Sequence, residues 1–186
     1  VIAAASGDPR QIELIRDVLA PGVELGWADD VSASADILIL ALPLHARDAL
    51  SAHLVNGKIV IDAMNHWPEV DGPRDDWVPR DDSTSQFLQE LLPGARLVKA
   101  FNHVGYRDLE LSGKGIAIAY ASDDLSAAKE VASLIGAMGF APVDLGALAN
   151  GRLLESGAAA FGAALSEGEL RQLIDSASAS GTRPRR

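Results

Sequence analysis

The sequence predicts an α/β fold, a parallel sheet with helices on both faces. One observation is three short apolar runs that stop at Pro or Asn: ADILILALP (35–43), GKIVIDAMN (57–65) and ARLVKAFN (95–102). Each is too short for an ordinary helix and is bounded by turn residues, so each reads as a strand. Their near-continuous apolar character requires cover on both faces, which is the pattern of parallel strands. The second observation is the alternation of such runs with stretches of helical period. In an open α/β sheet the polar residues that follow the strands gather at the carboxyl edge, where ligands bind. Function is therefore sought around Pro43, Asn65 and Asn102.

The elements follow in order. VIAAA (1–5) reads as a strand. Asp8, Pro9 and Gln11 have the spacing of a capped helix start, and Ile12, Ile15, Val18 and Leu19 recur at helical period until Pro21-Gly22. VELGWA (23–28) is a short strand and 29–35 a connecting turn. The 35–43 strand leads into a helix from Leu44 to Leu54, ended by Asn56-Gly57. After the 57–65 strand, residues 66–80 are rich in Pro, Asp and Trp and read as a long loop. Asp82 or Ser83 caps a helix carrying Phe87, Leu88, Leu91 and Leu92, closed by Pro93-Gly94. The 95–102 strand, a loop or short helix, and the strand GIAIAYAS (115–122) come next. Asp123 is placed to cap a helix with Ala127, Val131, Leu134, Ile135 and Met138. APVDLG (141–146) is a last strand, 147–175 is Ala-rich and helical, and SASASGTRPRR (176–186) is a disordered low-complexity tail. Residues 1–146 thus form a dinucleotide-binding region and 147–175 a helical segment of the same compact unit.

Composition narrows the function. The 186 residues suffice for one good core, 48% are hydrophobic, and the net charge is −10. Nucleic-acid binding, which needs a basic face, is disfavoured. No apolar run is long enough to span a bilayer. With no cysteine there is no disulfide, thiolate metal site or thiol nucleophile, and a cytoplasmic address is the default. No metal-ligand spacing and no Ser-His-Asp constellation can be argued from the sequence.

A dinucleotide-binding unit should begin with a strand, a G-x-G-x-x-G loop and a helix. No such motif is present; Gly113 and Gly115 precede a strand instead of following one. The chain reads as a Rossmann-like doubly wound parallel sheet lacking its first strand and Gly-rich loop, with VIAAA as the second strand. In the order 3-2-1-4-5-6 this would leave an unfilled slot between VIAAA and DILILA. A complete chain of another fold is the alternative.

Ser6 and Arg10 follow VIAAA, where a carboxylate would select NAD and where a hydroxyl and a guanidinium suit the 2′-phosphate of NADP; an ordinary turn and cap is the plainer reading. Pro43 can let the backbone lie against a cofactor or simply start a helix. Asn65 and Asn102 end neighbouring strands, and Lys99 and Phe101 make that edge polar and aromatic. His66 and His103 read as loop residues.

DILILALPLHA, GKIVIDAMNHWPEVDG, STSQFLQELLPGARLVKAFNHV and GFAPVDLGALANGRLLE together resemble the NADP-dependent oxidoreductases that use the deazaflavin coenzyme F-420. The likeness runs in order over most of residues 1–160. Met64 and His103 depart from the family pattern, which commonly has Asn at both places. The resemblance implies hydride transfer between NADPH and the deazaflavin ring, with no catalytic acid or base and no metal, since both carriers bring their own two-electron chemistry. It implies that Ser6 and Arg10 take the 2′-phosphate, that Leu42 and Pro43 flank the cofactor, and that Asn65, Phe101 and Asn102 line the meeting place of the two rings. A homodimer is expected. The alternatives are an inactive nucleotide-binding module, or an NADP-dependent reductase of another small substrate.

Overall fold

The structure, a computed structural model, describes the chain except for Ser6 and residues 79–81, 111–114 and 182–186. Its elements run β1 (Ile2–Ala4), α1 (Glu13–Leu19), β2 (Glu24–Gly26), α2 (Ala28–Ser34), β3 (Ile37–Leu40), α3 (Ala52–Val55), β4 (Ile59–Asp62), α4 (Pro68–Asp71), α5 (Thr84–Leu91), β5 (Arg96–Ala100), α6 (Tyr106–Leu109), β6 (Ala117–Ala121), α7 (Leu125–Ala137), β7 (Ala141–Asp144) and α8 (Glu167–Gly181). Short 3-10 turns occupy Pro9–Ile12, Leu44–Ala49, Arg74–Asp76 and Leu148–Leu154.

The strands form a parallel pair β1-β2 and a five-stranded sheet in the order β3-β4-β5-β6-β7. The fold is the expected α/β, Rossmann-like one, with a mostly parallel sheet. Alternation along the central strands shows why both faces had to be apolar. Ile59 and Ile61 of β4, with Val98 and Ala100 of β5, join one core beneath Val131 and Ile135 of α7. Val60 and Leu97 point the other way, into a core shared with Leu88 of α5 and with Leu92 and Leu148. Full burial of side chains of this size is worth about 1.5–3 kcal/mol each. A third cluster sets Leu170 and Ile174 of α8 against Ala117, Ala119 and Val143.

One junction departs from the expected parallel sheet. β6 pairs antiparallel with β5, through Lys99↔Ala121 and Ala100↔Tyr120. The segment between them contains only the four-residue α6 as a described helix, and a parallel return needs a full crossover, usually a helix. The carboxyl ends of β3, β4 and β5 therefore share an edge that β6 and β7 do not.

β1 and β3 are not paired with each other, and no described strand joins either on its other side. The sheet is broken there, as expected. Ile39 in β3 is 55% exposed, and Leu14, Ile15, Val18 and Leu19 of α1 are all exposed.

Other differences are local. Residues 29–35, read as a turn, lie largely in α2, whose Ser32 hydroxyl donates to Leu54 O; this tertiary bond outweighs weak helix propensity. The single helix expected from Leu44 is a 3-10 turn followed by α3. The 66–80 loop contains α4 and a 3-10 turn. Ser83 caps α5 with a full capping box to Gln86, and Asp124, not Asp123, caps α7. Within 147–175, helix gives way after the 3-10 turn, where Gly157 and Gly162 have φ of 88° and 74°. α8 then runs to Gly181, so the first part of the expected disordered tail is helical: its Ala and Ser residues continue a helix anchored by Leu170 and Ile174.

Candidate functional site

β4 and β5 pair in the register Asp62↔Lys99, which sets the loops leaving them side by side. The Asn65 side-chain amide donates to Asn102 O at 2.9 Å, and the Asn102 amide donates back to Asn65 Oδ1 at 3.1 Å. The same Asn102 nitrogen donates to Leu154 O at 2.7 Å. Both neighbours of that nitrogen are acceptors, so the orientation of the amide follows from chemistry. Its oxygen, Asn102 Oδ1, is buried without a hydrogen-bond partner among the described residues. Beside it, Phe101 has φ of 67°, the one positive value outside glycine among the described residues. A bulky residue in that region costs on the order of 1–3 kcal/mol, and such strain clusters at functional sites. The Phe101 ring is partly buried against the α7-side core, which with the Asn102 bonds holds the kink.

Lys99 does not belong to a polar edge, as the sequence suggested. Its side chain is wholly buried. The ammonium donates to Met64 O at 2.6 Å and to Asp62 Oδ2 at 3.2 Å. Asp62 also accepts from Met64 N at 2.9 Å and from the Ser85 hydroxyl at 2.6 Å. The pair thus grips both backbone groups of Met64, the residue before Asn65. Gly151 makes room for the stem: a Cβ there would lie 3.1 Å from Lys99 Cγ. Alternation along β5 explains the correction, since Lys99 shares with Leu97 the face that α5 covers.

Around this pair the loops are tied by buried carboxylates. Glu155 accepts from Thr84 N at 2.6 Å and Thr84 Oγ1 at 3.1 Å at the start of α5, and pairs with Arg74 at 2.8 Å. Asp71, at the end of α4, accepts from Trp67 N at 2.7 Å and from His45 N at 3.2 Å, and His45 Nδ1 lies 3.0 Å from it. Burial alone would raise the Asp71 carboxyl, but the bonds from Trp67 and His45 outweigh it and hold its pKa below the ordinary value. Trp67 meets Phe161 edge to face at 5.7 Å, and the Arg47 guanidinium lies 3.9 Å over the Trp77 ring.

His66 and His103 are both buried. His66 Nε2 lies 2.9 Å from Gly72 O. His103 Nε2 accepts from Ala119 N at 3.3 Å, and burial followed by the nearby Lys99 charge lowers its pKa to about 4.

Leu42, Pro43 and Arg10, the remaining proposed site residues that the structure describes, share no hydrogen bond with the asparagine pair. Pro43 is exposed and precedes the 3-10 turn at the carboxyl end of β3, while Leu42 packs against the α5-side core. Arg10 is exposed, and its guanidinium is held by Asp8 through Nε at 2.9 and 3.0 Å, bonds a phosphate would have to share or displace. Ser6 lies outside the described residues. Sequence reasoning missed Asp62, Asp71, His45 and Glu155. His45 was within reach, two residues beyond Pro43; the carboxylates were not, because their partners come from distant loops.

No protein-family model matches the chain. Among solved structures, a hypothetical protein from Sinorhizobium meliloti is 31% identical, with a TM-score of 0.71 over 89% of this chain and 83% of that one. The chain belongs to the family of that protein. A candidate F-420-dependent NADP reductase from an Arthrobacter species has the same fold, at 22% identity and a TM-score of 0.62 over 80% of this chain and 76% of that one. Human metalloreductase STEAP2 is 28% identical over 138 residues, which are 72% of this chain and 26% of that protein. The chain therefore spans about a quarter of the length of the curated relatives it matches. The chain carries its interlocked strand ends on a mostly parallel sheet. Among its described residues, no helix is long and apolar enough to cross a membrane.

Proposed function

We propose that this chain is the cofactor-binding unit of an NADP-dependent oxidoreductase that passes a hydride between NADPH and the deazaflavin coenzyme F-420. The observation that carries the reading is the Asn65–Asn102 pair at the shared carboxyl edge of β4 and β5, with Asn102 Oδ1 left as a buried acceptor. A buried carbonyl oxygen without a donor is costly, by about 1–3 kcal/mol. The carboxamide of a nicotinamide and the ring N–H of a deazaflavin are donors of the kind it lacks. When bound, the two coenzymes supply the two-electron chemistry themselves. For the hydride itself the protein's work is placement and dryness: Asn65 and Asn102 fix each other, Phe101 sets the kink that presents them, and Leu42 and Pro43 flank the cofactor. Ser6 and Arg10 are assigned to the 2′-phosphate.

The test is to mix the protein with NADPH and oxidised deazaflavin and to follow bleaching of the deazaflavin absorbance, with NADH in parallel. Bleaching with NADPH well ahead of NADH supports the reading. Failure to bind NADPH sinks it. A second reading, a reductase with a different acceptor, is favoured by the match to the metalloreductases. It is the outcome if NADPH binds, the deazaflavin stays oxidised, and a ferric chelate or flavin is reduced instead.

A further inference from the structure

The chain has four histidines, and their surroundings separate them. His53 has both ring nitrogens engaged, Nε2 with Asp29 at 2.8 Å and Nδ1 with Ser51 Oγ at 2.7 Å. His66 and His103 are buried. His45 is different. It lies two residues beyond Pro43, in the turn at the carboxyl end of β3, and its ring is about half exposed while Asp71 beside it is covered. A carboxylate only accepts, and Asp71 is held ionised by its bonds, so His45 Nδ1 carries the hydrogen at 3.0 Å. Backbone and ring of His45 both hold the same oxygen, Asp71 Oδ1, which fixes the ring's orientation. Nε2 has no partner among the described residues. The backbone bond from His45 N alone already stitches the 44–49 turn to α4, so the ring bond is not needed for that.

We infer that His45, positioned by Asp71, carries the proton that accompanies hydride transfer at this site. The inference rests on the oxidoreductase reading above. In that reaction a C–H bond of the dihydronicotinamide breaks and its electron pair goes with the hydrogen to form a C–H bond on the acceptor. The nicotinamide becomes a cation and the acceptor gains a negative charge. The acceptor is neutralised when one of its basic atoms takes the Nε2 proton of the His45 imidazolium. The electrons of that N–H bond stay on Nε2, and water restores the proton. In the reverse direction Nε2 takes the proton from the reduced carrier. The Asp71 carboxylate offsets the imidazolium charge throughout.

The test uses His45→Ala and His45→Gln, with NADPH affinity measured by titration and turnover by deazaflavin bleaching. Both variants should bind NADPH within about twofold of the parent. Turnover should fall about a hundredfold or more, in the range of lost acid–base catalysis. Added imidazole should restore at least tenfold in His45→Ala, where it can fill the vacated space, and not in His45→Gln. A loop staple would show no such rescue. Turnover of His45→Gln within threefold of the parent, or a loss in His45→Ala that imidazole leaves unchanged, overturns the inference while leaving the oxidoreductase reading standing. A parent protein that neither binds nor oxidises NADPH overturns both.

Discussion

Replacing Lys99 by Met tests the internal support of the site most sharply. Met matches the unbranched stem and so keeps the packing against Gly151, but it removes the ammonium. Asp62 then keeps the Ser85 hydroxyl and the Met64 N–H at 2.6 and 2.9 Å and loses its counter-charge at 3.2 Å. Met64 O loses its donor at 2.6 Å. Breaking one side of a wholly buried pair costs about 3–5 kcal/mol, because an uncompensated charge stays inside. That is a large fraction of the roughly 5–15 kcal/mol that holds a domain folded. With a urea slope of about 2 kcal/mol per molar, the unfolding midpoint should drop by about 2 M. Lys99→Met with Asp62→Asn should recover part of the loss, since no charge remains buried and an amide oxygen can still accept from Met64 N. The assay is urea unfolding of the parent, the single variants and the double variant as a cycle. A loss under about 1 kcal/mol for Lys99→Met, or a double variant as unstable as the sum of the singles, would refute the claim that these two groups hold the Asn65 loop as a unit.

Three further outcomes are expected. Asn102→Ala should lower turnover more than it weakens NADPH binding, by on the order of a hundredfold if the rings shift by about an ångström; steady-state rates beside direct titration decide it. His103 is neutral when folded, with its pKa lowered to about 4 from 6.5, so the unfolded chain takes the proton first as pH falls. Stability is full above about pH 6.5 and declines toward pH 4, by about 3 kcal/mol at the lower limit, and His103→Gln should flatten urea midpoints measured across that window. Asp124 caps α7 through Ser126 N and Ala127 N, both at 2.9 Å, and the Arg96 side chain, chiefly, lowers its pKa to about 2. Asp124→Ala should cost about 1–2 kcal/mol at pH 7 in thermal or urea unfolding; the difference between the two proteins should shrink as acid protonates Asp124, below about pH 4.

The parts of the fold legible in the sequence were those whose information is local. Buried strands announce themselves by composition, and Ser83 with Gln86 is a cap written in four residues. The direction of β6 was not legible, because Ala117–Ala121 is equally apolar read either way and only the connection decides. The asparagine pair was half legible: strand ends in one sheet must share an edge, yet nothing local says that two amides will lock. Lys99 was misread because a lysine beside a strand end is ordinarily solvated, and its partners, Asp62 and Met64 O, belong to the end of β4 and the loop after it, 37 and 35 residues earlier. The break between β1 and β3 followed from a missing motif, not from any residue that is present.

That break also sets a difference in persistence within the molecule. α1 buries none of its residues, and the β1-β2 pair stands outside the five-stranded sheet, whereas every residue of β4 and β6 is buried. Amide hydrogens of β4 and β6 should exchange only on global unfolding, while those of α1 open locally at little free-energy cost. Proteases should therefore enter near α1 first, and the earliest fragments should still contain the Asn65–Asn102 edge.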